Sequence, residues 1–392
     1  MIPYGRQWIS PEDVASVVDV LISDHLTQGP AIPRFEQTLR SACAAAHAVA
    51  VNSATSGLHI ACLALGLETG KRLWTSPNSF VASANVARLC GAEVDFVDID
   101  PDTLTMCPDR LCDKLHVARR KGRLPHIVMP VHFGGQSCDM PAIHTLAAEF
   151  GVHVIEDASH AIGALLDGAP VGDCRYSDAC VFSFHPVKIV TTGEGGAVTT
   201  RNDRLAAKLD RLRSHGITRN PALMTRDADE PWYYQQLDLG LNYRMTDMQA
   251  ALGTSQMTRL EPFIALRHGL ARRYDWALAD LPLRRQQRPV ADRSALHLYP
   301  VQLDPSLPDR ARLRRHLFDH LRNNGIGVNV HYIPIHTQPY YRALGFMPGQ
   351  FPVAEGYYEG ALSLPLHPQM SDADQSAVIE SLGSGLTSLG LI

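Results

Sequence analysis

The sequence predicts an α/β protein, with a largely parallel sheet covered by helices on both faces and a smaller α+β domain at the C-terminal end. Three observations carry this reading. Short apolar runs alternate with amphipathic helical patterns through the first two-thirds of the chain, as a parallel sheet demands because its strands are joined by crossover helices. Near Met257 the texture changes, and a long helical pattern leads into the proline- and arginine-rich stretch LPLRRQQRPVADR. Finally, 392 residues, 45% of them hydrophobic, suffice for a large core and a second smaller one. The expected division is 1–256 and 257–392.

Taken in order, Ser10 and Pro11 open a helix that runs through Leu21, a capping hydroxyl followed by proline in the first turn. Strand-like runs follow at Ala48 to Val51, Leu73 to Ser76, Val94 to Ile99, Ile127 to Val131, Val152 to Ile155, Ala179 to Phe184 and Ala197 to Thr200. Helical periodicity separates most of them, as at Ser56 to Leu65, Ser79 to Cys90 and Met140 to Phe150. The second part reads as a helix from Glu261 to Leu281, another helix, a short strand around Val328 to His331, and a terminal helix after Ser371. No internal repeat is visible.

Bulk properties exclude several function classes. A formal charge of -4 offers no general attraction to nucleic acid or to an anionic membrane. The basic run Arg119, Arg120, Lys121, Arg123 reads as a solvated helix end. Eight cysteines lie scattered with no CxxC pair, the pattern of reduced core residues and not of a disulfide or zinc framework, so no metal is expected. No apolar run approaches the ~18 residues of a membrane helix, and MIPYGRQWISPEDV lacks the features of a secretory leader. A cytoplasmic location is expected.

The segment VFSFHPVKIVTTGEGGA, Val181 to Ala197, sets Lys188 in a turn between two apolar runs and ahead of a glycine-rich loop. No Asp, Glu, Lys or Arg lies within five residues of it on either side. Partial desolvation lowers a lysine pKa and leaves a nucleophilic amine, as Schiff-base chemistry needs; the same pattern also fits a lysine snorkelling from an apolar patch. Open parallel sheets bind ligands at the carboxyl ends of their strands, and three further features fall there. Asp157 ends the run VHVIED, where a carboxylate can face a heterocycle or merely cap a helix. Ser53, Thr55 and Ser56 open a helix after a strand, which makes either a phosphate cradle or an ordinary cap. Phe80 starts the next helix, where its ring can lie on a planar group or in a core. Nucleotide signatures do not compete: GLETGKR at Gly66 has the wrong spacing and Arg72 where Ser or Thr is required. A reactive lysine, a carboxylate, a phosphate site and a stacking aromatic are together the contacts that pyridoxal phosphate requires.

Nine ordered blocks extend this reading: LTQGP at Leu26, NSATSGLHIA at Asn52, SFVASANV at Ser79, IEDASHAIGA at Ile155, FSFHPVKIVTTGEGGAV at Phe182, LRSHGI at Leu212, GLNYRMTDMQAALG at Gly240, HYIPIHTQPYY at His331 and SLPLHP at Ser363. By them the chain resembles the DegT/DnrJ/EryC1/StrS family of pyridoxal-phosphate-dependent nucleotide-sugar aminotransferases, with wording nearest the branch of pseudaminic acid biosynthesis. The resemblance implies the aspartate-aminotransferase-like fold (fold type I) and a homodimer with sites at the subunit interface. It also implies a UDP-linked 4-keto-6-deoxy-N-acetylhexosamine as substrate and L-glutamate as amino donor, released as 2-oxoglutarate. Carried over by motif, Lys188 would bond the cofactor, Asp157 would pair with the pyridine nitrogen, and His160 would sit near the phenolic oxygen. Ala54, Thr55 and Ser183 would hold the phosphate, Phe80 would stack, and Asn242 would reach the phosphate from the neighbouring subunit. Tyr4, Leu26, Thr27, His185, His331 and Tyr332 would contact substrate. Many members have SGT where this chain has Ser53, Ala54 and Thr55; alanine still offers its amide. A dehydratase branch has histidine in place of the lysine, so Lys188 favours transamination, on this or another nucleotide-linked ketosugar. No arginine is assigned to the glutamate carboxylate; Arg244 lies near Asn242 but suits a structural pair equally.

Overall fold

Seven strands form the central sheet of the computed structural model, which describes residues 1–226 and 230–392. They are β1 (His47–Val51), β2 (Arg72–Thr75), β3 (Glu93–Phe96), β4 (Ile127–Met129), β5 (His153–Asp157), β6 (Ala179–Ser183) and β7 (Gly196–Thr200), and they lie in the order β1-β7-β6-β5-β4-β2-β3. Only β7 runs against its neighbours; every other pairing is parallel. The six parallel strands therefore end at one edge, where the loops collect. All seven strands expected for this sheet are present, and those at Val94 to Ile99, Ile127 to Val131 and Ala179 to Phe184 are shorter than expected. Pro130 has no N–H to give and ends β4 after Met129, and pairing resumes only at the isolated Val131–Asp157 bridge.

The helices are α1 (Pro11–Leu21), α2 (Ala31–Cys43), α3 (Ala54–Ala64), α4 (Ala82–Leu89), α5 (Pro108–Arg120), α6 (Met140–Phe150), α7 (Asp203–Leu212) and α8 (Asp247–Met257). Leu58, Ala84 and Leu209, from α3, α4 and α7, pack on one apolar layer of the sheet. Phe35 and Ala250, from α2 and α8, pack on another with Phe182 and Phe184. The long helix α9 (Leu260–Ala277) adds Phe263 and Ile264 to this second layer, while its last turns carry Ala271 and Tyr274 into a separate core. That core surrounds an antiparallel sheet of β8 (Leu283–Arg285), β9 (Tyr299–Leu303) and β10 (Ala361–Leu364), with α10 (Arg310–Asn323) and the closing helix Asp372–Ser388. The expected strand at Val328 to His331 is reduced to one bridge, Asn329 to Ser363. Its neighbours are engaged elsewhere, the Gly327 amide on Ile2 and the Tyr332 amide on Asn78. All eight cysteines are free thiols, and among the described residues no helix is long and apolar enough to cross a membrane.

Helix α1 is turned inside out. Its one buried residue is Asp13, whose carboxylate accepts from Ser255 Oγ and Gln256 Nε2 at 2.6 Å each and pairs with Arg259. Val14, Val18 and Leu21, spaced as one helix face, are 45% to 54% exposed. Burial alone would raise the Asp13 pKa, but the bonds from Ser255, Ser10 and Gln256 and the charge of Arg259 outweigh it and hold it below the ordinary value. Such a group contributes stability above its unfolded pKa, about 3.9, and that contribution fades as pH falls through the lower folded value. Asp13→Ala should cost about 3 kcal/mol at pH 7 in urea unfolding, the low end for a broken buried pair because Arg259 keeps some solvent contact. A loss below about 0.5 kcal/mol would show the pair to be idle.

Candidate active site

The strand ends enclose a cavity of about 980 Å³. Eleven of the fourteen expected residues line it: Tyr4, Ala54, Thr55, Phe80, Asp157, His160, Ser183, His185, Lys188, His331 and Tyr332. Leu26, Thr27 and Asn242 do not, and all three are exposed in this chain. Arg244 also stays outside, donating to Ser214 Oγ at 2.8 Å, and among the described residues no arginine borders the cavity.

Lys188 follows β6 in a tight turn closed by its own amide on the His185 carbonyl, 2.9 Å away. Counted as a whole residue it is only half-buried, because it borders open space. Protein packed around the amine still desolvates it, and burial pushes the pKa down to about 8 against the opposing pull of Asp157. Asp157 closes β5 and is 4% exposed. Its carboxylate accepts from Ser83 Oγ and Ser159 Oγ at 2.6 Å each and from the Ser159 amide at 3.1 Å, so three donors fix its orientation.

Opposite these, α3 begins at the end of β1. Ser53 caps it, accepting from the Ser56 amide, while Ser56 Oγ donates to Asn52. The Ala54 and Thr55 amides belong to the first turn, whose N–H groups have no partner within the helix. Thr55 is exposed and Ser183, at the end of β6, is 8% exposed. Gly196, the first residue of β7, comes so near that a Cβ there would lie 2.6 Å from the Ala54 nitrogen. Only glycine lets β7 press against this helix start, leaving a bare, donor-rich concavity.

Phe80 stands on the far wall, 61% exposed, its ring 6.4 Å from that of Tyr332. Tyr4 arrives from the N-terminal segment, where Ile2 exchanges backbone bonds with Gly325 and Gly327, and its ring lies 5.4 Å from His331. Burial, then the charge of Lys188, pushes His331 down to about 3, and the same two causes lead in holding His160 well below its ordinary value. Both imidazoles are neutral at pH 7, so Lys188 is the cation of this wall. Sequence reasoning missed Ser83, Gln249 and Glu194. Ser79 and Ser83 stand four apart around the start of α4, a spacing that hints at a shared face, but nothing local ties Ser83 to Asp157, 74 residues away.

The family model described as the DegT/DnrJ/EryC1/StrS aminotransferase family matches residues 7–383. The spore coat polysaccharide biosynthesis protein SpsC of Bacillus subtilis is 38% identical over 384 residues, 97% of this chain and 96% of that protein. The UDP-4-amino-4,6-dideoxy-N-acetyl-beta-L-altrosamine transaminase of Campylobacter jejuni is 35% identical over 390 residues, 98% of this chain and 97% of its own. Among solved structures, Helicobacter pylori PseC, an aminotransferase involved in the biosynthesis of pseudoaminic acid, superposes with a TM-score of 0.89 at 28% identity over 99% of both chains. A putative sugar aminotransferase of Streptococcus pneumoniae, solved in its PLP and PMP forms, superposes at 0.89 and 0.90 with 26% identity.

Proposed function

This chain belongs to the DegT/DnrJ/EryC1/StrS aminotransferase family, and from that premise we propose that it moves the amino group of L-glutamate to C4 of a UDP-linked 4-keto-6-deoxy-N-acetylhexosamine. It is a fold type I sugar aminotransferase that works with pyridoxal phosphate. The choice of sugar is supported by the likeness to the altrosamine transaminase and to PseC over nearly the full chain.

One observation carries the chemistry: the desolvated Lys188 amine and the clamped Asp157 carboxylate share one cavity with the bare start of α3. The donor set fits the cofactor, because the concavity left beside Gly196 offers amides and hydroxyls to a phosphate and Asp157 offers a carboxylate to a ring nitrogen. When bound, pyridoxal phosphate supplies an electrophilic aldehyde and a ring that takes up electron density as a proton leaves the carbon bearing nitrogen. Around it, Ala54, Thr55 and Ser183 hold the phosphate, Phe80 flanks the ring, and Asp157 keeps the ring nitrogen protonated. Lys188 Nζ takes and returns the migrating proton. With a pKa of about 8, roughly a tenth of its amine is uncharged at pH 7. His331, His185, Tyr332 and Tyr4 line the remaining space, where the sugar binds.

The test is mass spectrometry of products from a panel of UDP- and dTDP-linked 4-ketosugars supplied with glutamate. The UDP-4-amino-4,6-dideoxy sugar should be the preferred product. A product that has lost a hydroxyl without gaining nitrogen would identify a dehydratase and end this reading.

The working unit in this proposal is a homodimer. Support comes from the apolar face that α1 turns outward, continued by Ile22 and Leu26, which are 80% and 47% exposed, and from Asn242 standing outside its own chain's cavity. If Asn242 acts across the interface, a Lys188→Ala subunit and an Asn242→Ala subunit complement each other, since one site of each mixed dimer is intact. Random reassortment should restore about a quarter of wild-type activity. Mixtures no more active than the separate parents would exclude a site shared in this way.

A further inference from the structure

Two cysteines outside the site described above meet where α3 packs along α4. Cys62 stands in the last turn of α3, three residues after His59, so the two share one helix face. Cys90 is the residue that caps the carboxyl end of α4. Its sulfur is hydrogen-bonded with the Cys62 thiol and with His59, whose Nδ1 lies 3.1 Å from the Tyr243 hydroxyl. Cys62 is fully buried, whereas Cys90 is half-buried and reaches solvent.

The two sulfurs are unequal. The bond from Cys62, and with it that from His59, holds the Cys90 thiol down at about 6 against the effect of burial. Burial, then Cys90, pushes the Cys62 thiol well above its ordinary value. The carboxyl end of α4 works against an anion here, which leaves the two bonds to Cys90 to decide the balance. Cys90 is thus the thiolate and Cys62 the buried thiol that donates to it. At Cys43, Cys174 and Cys180 burial leads and pushes the thiols up, which leaves them inert.

We propose that Cys90 and Cys62 form a peroxide-sensitive modification site, in which Cys90 is oxidised first and Cys62 then closes a disulfide between α3 and α4. The Cys90 thiolate attacks one oxygen of hydrogen peroxide; the S–O bond forms as the O–O bond breaks, and the departing hydroxide takes a proton from solvent. The Cys62 sulfur then displaces hydroxide from the Cys90 sulfenic acid, the S–S bond forming as the S–O bond breaks, and the Cys62 proton leaves with it as water. Both thiols are oxidised, and the peroxide is reduced to water. Closure links the helix that opens at Ala54 to the helix that carries Ser83, both of which border the cavity. Neither the sugar nor the amino donor enters this proposal.

The test treats the reduced holoenzyme with hydrogen peroxide, alkylates the remaining thiols and maps the peptides by mass spectrometry. A crosslink between Cys62 and Cys90, reversed by dithiothreitol, is expected, with the other cysteines alkylated. In Cys62→Ala, Cys90 should stop at the sulfenic acid and take a dimedone label. Iodoacetamide labelling of Cys90 in the reduced wild-type chain should reach half its plateau near pH 6, where a free thiol does so near about 8.5. His59→Gln should raise that midpoint by about one unit. The crosslink map and the labelling midpoint are read on the wild-type chain, so they decide the matter even if a variant fails to fold. A Cys90 that stays a thiol under peroxide, pairs with a cysteine other than Cys62, or labels with a midpoint at about 8.5 overturns the proposal.

Discussion

Lys188→Ala is expected to lower kcat by about 10⁴-fold or more, because in the proposed function one amine both holds the cofactor and moves the proton. The variant should fold, since Lys188 makes no side-chain hydrogen bond or ion pair among the described residues and its removal strips a desolvated cation from the cavity wall. Borohydride reduction of the wild-type holoenzyme should fix the cofactor to a peptide containing Lys188 and leave the variant unlabelled. The pH dependence has a definite sign. Burial disfavours the ammonium, so the folded amine loses its proton near pH 8, where an exposed lysine does so near 10.4. Labelling of the cofactor-free enzyme by an aldehyde should therefore be half-maximal near pH 8. A midpoint above 10, or appreciable turnover by the alanine variant, would remove the basis of the functional reading.

Asp157→Asn is expected to lower kcat by about 10³-fold, the scale of removing a preorganised charge from the reacting group. The amide keeps the shape and one acceptor for Ser83 and Ser159 but no longer holds a proton on the ring nitrogen. Thermal stability should change little. Asp157→Ala removes the acceptor as well and takes both donations of Ser159, whereas Ser83 keeps Ser79 Oγ at 2.8 Å, so it should cost about 1 kcal/mol of stability in addition. Comparing the two separates catalytic from structural contributions. If Asn were as active as wild type, Asp157 would be a cap and nothing more.

Much of this architecture is written locally. The seven strands and the helices Pro11–Leu21 and Met140–Phe150 follow from periodicity and capping, because a helix or buried strand repeats its pattern within a few residues of itself. The strand at Val328 to His331 was misread because its pairing depends on Ile2, Asn78 and Ser363, all remote in sequence. Helix α4 starts later than its periodicity suggests, and the freed Ser79 and Phe80 border the cavity. Helix α1 shows the limit in another way: its cap marks where it begins, but that Asp13 is the residue turned inward depends on Ser255, Gln256 and Arg259, all remote in sequence.

The amino-acid order by itself determined that Lys188, Asp157 and the helix opening at Ala54 stand at strand ends, and so which groups can be proposed to meet the cofactor. These depend on which residue follows which strand, a local matter. Tertiary packing alone decided that Lys188 is desolvated toward neutrality and that Ser83 grips Asp157 across 74 residues. Protonation and hydrogen-bond direction depend on burial and on distances between remote segments, and those exist only once the chain has folded.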